Sequence, residues 1–171
     1  MKRTSVLFVS CAFLAALTWA KADQHKGKMT DQDFVNFAAQ TDMMEAHLGQ
    51  LAQQQGATQA VKDFGQTLTT DHTNDYNQLT AVAGKASLSV PKGLDAVHNK
   101  MIAPFEKLHG AAFDKRFEHE MVTGHEAAIA VYKRESTEAQ NADLKAYATQ
   151  ALPVLQKHLS DAEDLAKNHG K

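Results

Sequence analysis

Four side chains in this sequence could do chemistry together: Glu45, His72, His125 and His158. Each falls near the middle of a long helical pattern, on its apolar stripe. In LTTDHTNDYNQL, residues 68–79, Leu68, His72, Tyr76 and Leu79 recur at helical spacing and so share one face. The stripe of the preceding helix runs Phe34, Phe37 or Ala38, Thr41, Glu45, Leu48 and Ala52. A third runs Phe117, Met121, His125, Ile129 and Tyr132, and a fourth Leu144, Ala151, Val154 or Leu155, His158, Ala162 and Leu165. Residues central in their helices lie at one level whichever way the helices point.

An unpartnered carboxylate and three unpartnered imidazoles are costly to bury. One divalent transition-metal ion would satisfy all four, with three neutral nitrogens and one oxygen as donors. Zinc, iron, manganese and copper all accept such donors, so the set leaves the metal open. Asp71 lies about 100° round the helix from His72, better placed to orient a neighbouring imidazole than to ligate. A closed polar network that sets helix register without metal is an alternative. A mononuclear redox enzyme built on the same residues is another.

Two metals are not expected. Di-iron bundles use a glutamate from each of two helices and Glu-x-x-His from each of the other two. Here Thr69, Val122 and Leu155 stand three residues before the histidines, and Glu45 is the one carboxylate that clearly faces inward. Glu118 and Glu126 lie off the stripe. The remaining histidines (His47, His98, His109, His119 and His169) read as solvated, and Met43, Met44, Met101 and Met121 as core filler. No nucleophilic serine motif or phosphate loop argues for hydrolysis.

The elements that must position the four residues are long. Thr30, with Asp33 three residues on, caps a helix that ends near Gly56. A second runs from Thr58 to about Gly84, a third from after Gly110 to about Ser136, and a fourth from near Asn141 almost to Gly170. Each is about 38 Å long for about 25 residues. Short connections make the first pair and the last pair hairpins. Between the pairs lies KASLSVPKGLDAVHNKMIAPFEKLHG, where Pro91 and Pro104 bracket a short helix around Asp95 to Ile102. Two hairpins joined by one long crossover predict an all-α, ferritin-like four-helix bundle over residues 30–169. A faint repeat accompanies it: a shift of 80 residues carries Phe37 onto Phe117 and Glu45 onto His125. Pro153 should kink the fourth helix five residues before His158.

The first 22 residues read as a signal peptide, with Lys2 and Arg3, an apolar run from Val6 to Leu17, and Ala20-Lys21-Ala22 as the cleavage site. Cys11, the single cysteine, would leave with it, and residues 23–29 form a disordered leader. The expected location is periplasmic or secreted, with no membrane span after cleavage. Removing the signal peptide takes three of the 18 basic residues and none of the 20 acidic ones, moving the net charge from −2 to −5. No basic run points to nucleic acid. A bundle of this length is compatible with a homodimer. Cleavage after Ala22 would expose Asp23-Gln24-His25, whose amine, two amides and imidazole could wrap Cu(II) or Ni(II) in a square plane.

The stretches DFVNFAAQTDMMEAHLGQLA, VKDFGQTLTTDHTNDYNQL, HGAAFDKRFEHEMVTGHEAAIAVY and LKAYATQALPVLQKHL resemble, in order, the exported bacterial family catalogued as domain of unknown function 4142. The resemblance covers about Asp31 to Ala166. It implies a ferritin-like bundle and carries over Glu45, Asp71 with His72, His125 and the LPVLQKH histidine, His158. It implies no particular activity.

Overall fold

A computed structural model describes residues 28–168. The long helices are α1 (Asp31–Gln55), α2 (Gln59–Lys85), α4 (Ala111–Glu138) and α5 (Ala142–Asn168), with the short α3 (Ala96–Ile102) in the crossover. A 3-10 turn, Phe105–Lys107, follows α3. Among the described residues there is no strand, and no helix is long and apolar enough to cross a membrane.

Local chemistry accounts for the helix starts. The Thr30 hydroxyl accepts from the Asp33 amide while the Asp33 carboxylate accepts from the Thr30 amide, a reciprocal capping box. Thr58 caps α2 through the Val61 amide, Asp95 caps α3 through Val97 and His98, and Asn141 caps α5 through Asp143 and Leu144. At the start of α4, Gly110 adopts φ +60°, a left-handed conformation that suits glycine.

The hairpins grip each other at both ends of the bundle. Asp114, at the start of α4 and wholly buried, accepts from the Ala57 and Thr58 amides in the α1–α2 turn at 2.9 and 3.1 Å. Asp31, at the start of α1, accepts from Gln140 and Asn141 in the α4–α5 turn at 2.7 and 2.8 Å. These carboxylates give partners to turn amides that the helices leave unbonded. The crossover climbs between the two ends along α1 and α2. Gln32 bonds both backbone groups of Ser89, Gln40 bonds Gly93 and Asp95, and the Tyr76 hydroxyl donates to the Pro91 carbonyl.

Tyr76 is therefore half-buried and tied to the crossover, while its stripe neighbours Leu68 and Leu79 are fully buried. Ala38 and Leu155 take the core positions; Phe37 is half-buried and Val154 exposed. Helix α5 continues through Pro153 as one element.

Two apolar clusters fill the bundle. One holds Phe34, Val35, Leu79, Ala83, Tyr132, Leu144 and Tyr147. The other holds Met44, Leu48, Phe64, Leu68, Phe105, Phe113, Phe117 and Met121. On α2, His72 falls between Leu68 of one cluster and Leu79 of the other, and on α1 Glu45 follows Met44, where the second cluster begins.

Candidate metal centre

All four central residues meet in the core. Glu45, His72, His125 and His158 are at most 2 % exposed. One ring nitrogen from each histidine lies within 4.8 Å of those of the other two. The His125 Nε2 and His158 Nδ1 atoms are 3.3 Å apart, and Glu45 Oε2 lies 3.5 Å from His72 Nε2 and 3.6 Å from His125 Nε2. Four donors bound at about 2.0–2.1 Å in a tetrahedron stand about 3.3 Å from one another.

The outward sides of the rings decide what faces inward. His125 Nδ1 lies 2.8 Å from the Met121 carbonyl, His72 Nδ1 2.9 Å from Asp42 Oδ1, and His158 Nε2 2.9 Å from Asp71 Oδ2. A carbonyl accepts only, and so does an ionised carboxylate, so with Asp42 and Asp71 ionised each neutral ring uses its N–H on the outer partner. Three lone pairs then point at one another and at a carboxylate oxygen. The 3.3 Å contact between His125 and His158 becomes two acceptors face to face, repulsive unless a proton or a cation lies between them. His72 Nε2 and Glu45 Oε2 have no hydrogen-bond partner, an unusual state for buried polar atoms. These orphaned atoms fit a metal ion.

Electrostatics favour the neutral form of His125 and His158. Burial pushes His125 down to about 3, helped by the neighbouring His72 and His158. Burial and then His72 lower His158, against the opposing pull of its Asp71 hydrogen bond. Burial raises Glu45, while His72 and His158 act to lower it. A cation would reverse this logic and hold the carboxylate ionised.

Asp71, next to His72 in sequence, touches His158 across the α2–α5 seam. The expectation that Glu45 is the one inward carboxylate does not hold: Asp42 is 1 % exposed and Glu118 is buried as well. Asp42 lies three residues before Glu45 and so on the same side of α1, where it reaches the outer nitrogen of His72. It supports an imidazole rather than bridging a second ion. Burial, with Asp75 and Glu45 nearby, pushes the Asp42 carboxyl well above its ordinary range. Asp23, Gln24 and His25 lie outside the described residues, as does His169. His98 is partnered by Asp95 at 2.8 Å, away from the cluster.

A family model, Domain of unknown function (DUF4142), matches residues 16–165. The chain belongs to that family. No curated protein and no solved structure matches it.

Beside the histidines of this DUF4142 protein is a polar relay that the stripe pattern does not reveal. The Tyr147 hydroxyl donates to Asp75 Oδ2 at 2.6 Å, leaving its oxygen to accept from Tyr132 at 3.2 Å. Both phenols are buried, and burial raises both well above the ordinary tyrosine range. Asp75 sits three residues after His72, on the same side of α2, and that spacing was its one readable signal. An open cleft of about 190 Å³ between α2 and α5 is lined by Asp71, His72, Asp75, Ala151 and His158, with Asn74, Gln78, Gln150 and Val154 at its exposed edge.

Proposed function

We propose that this protein holds one divalent transition-metal ion in its bundle core, with Glu45, His72, His125 and His158 as donors. Asp42, Asp71 and the Met121 carbonyl align the rings and keep the inward nitrogens free of protons. The reading is carried by three imidazole lone pairs converging on a carboxylate oxygen that has no hydrogen-bond partner. An ion there would supply Lewis acidity or, with iron, manganese or copper, electron transfer. The leader-like first 22 residues support export, and export with a buried metal site supports a role in metal handling or envelope stress.

Metal analysis of the mature chain, purified without a histidine tag, tests the reading. About one equivalent of ion per chain is expected, lost in His72→Ala and His125→Ala. Asp42→Asn should bind about tenfold more weakly, since an amide holds the His72 ring less firmly than a carboxylate. Substoichiometric metal that is unchanged in both histidine variants would overturn the proposal and leave a metal-free polar network.

A further inference from the structure

The buried cluster has to be reached from solvent, and the helix seams differ in how closely they shut. Along α1–α2 the backbones touch. A Cβ placed at Gly49 would lie 2.5 Å from the Gly65 carbonyl oxygen, and one at Gly65 would lie 2.6 Å from that of Gly49. Thr69 adds to the seal, with its hydroxyl close to the Ala46 and Gly65 carbonyls. Nothing the size of a hydrated ion passes there. Along α2–α5 the seam opens into the 190 Å³ cleft, whose walls include the rings of His72 and His158.

The cleft is graded in exposure and charge. Asp71 has a side chain 38 % exposed and holds His158, which is 1 % exposed, at 2.9 Å. The Asp71–His158 pair therefore spans from solvent to the cluster in one step. Asp75 adds a second carboxylate, and no lysine or arginine lines the cleft. Behind these groups the buried His72 Nε2 lacks a partner. A low-dielectric cleft with one sign of charge concentrates the opposite ion at its mouth.

We propose that the α2–α5 cleft is the port through which a divalent cation enters the histidine cluster. Asp71 and Asp75 draw in the hydrated ion, and His158 is the first ring it meets. This deepens the metal-binding reading above and rests on it.

The test is the rate at which the metal-free mature chain takes up Co(II), followed by stopped-flow absorption. Gln78→Arg with Gln150→Arg reverses the charge at the mouth using exposed side chains that ligate nothing. At low ionic strength this double variant should load about tenfold more slowly than wild type. The gap should close at 0.5 M salt, with final Co(II) per chain unchanged. Gln54→Arg, an exposed substitution on α1 outside the cleft, should load at the wild-type rate. Equal rates for wild type and the double variant, or equal slowing by Gln54→Arg, would overturn the port and leave the metal site standing. Failure of wild type to take up Co(II) at any salt would overturn both.

Discussion

The core of this bundle contains two kinds of interior side by side, the Phe64 and His158 rings meeting edge to face at 6.2 Å between centroids. Around Phe64, Phe113 and Phe117 it is dry and closely fitted, with Phe113 and Phe117 stacked at 5.5 Å. One helical turn or two away, at Glu45, His72, His125 and His158, polar atoms are buried without partners. The first region stabilises the fold by removing apolar surface from water. The second costs stability in the metal-free chain, because desolvation opposes charge and repulsion opposes the three lone pairs. A bundle that needed only to fold would fill that level with leucine. The contrast argues that the polar level is kept for something it binds.

Breaking the dry region should have the largest effect. Phe117→Ala removes a wholly buried ring and should cost about 3–5 kcal/mol in urea unfolding, with or without metal. A loss below 1 kcal/mol would mean that the aromatic cluster does not carry the fold.

The polar region should respond to pH in a way the dry region cannot. His125 has a folded value near 3 against about 6.5 in the unfolded chain. Its contribution is intact above about pH 6.5 and is lost as pH falls towards 3, because the unfolded chain takes up the proton first. The raised carboxylates of Glu45, Asp42 and Asp75 act oppositely, stabilising in acid and losing that contribution as pH rises through their folded values. His125→Leu isolates the imidazole. Between pH 6.5 and 5 the metal-free variant should lose less stability than wild type, by up to about 1.4 kcal/mol per pH unit. Parallel profiles in urea titrations would show that His125 takes up its proton at the same pH in the folded and unfolded chain.

The smallest effect has the opposite sign to a core truncation. Glu45→Gln keeps the shape and removes a desolvated charge, so the metal-free chain should gain on the order of 1 kcal/mol at pH 7.5. The same variant should lose metal affinity. Destabilisation of the metal-free form by Glu45→Gln would place a stabilising partner on the carboxylate and dissolve the contrast between the two regions.

Much of this was legible in the chain itself. Apolar spacing at 3.6 residues, the Thr30–Asp33 cap, the breaks at Gly56 and Gly110 and the long segment holding Pro91 and Pro104 determine the helices, their pairing into hairpins and the level of the four polar residues. These signals are local: periodicity and capping act within a turn or two, so one sequence carries them. Asp71 reads in sequence only as a neighbour of His72, about 100° round the same helix.

Tertiary structure alone decided the rest. Asp71 serves His158, 87 residues away, and Asp42 serves His72, 30 residues away, because helix packing sets which faces oppose. The relay from Tyr132 through Tyr147 to Asp75 depends on three helices meeting, as does the choice of the α2–α5 seam for the cleft. The two aspartates that clasp opposite hairpin turns, Asp31 and Asp114, read in sequence only as acidic residues in a first turn. Periodicity places a side chain on a face; only packing chooses the partner across from it and which ring nitrogen is left bare.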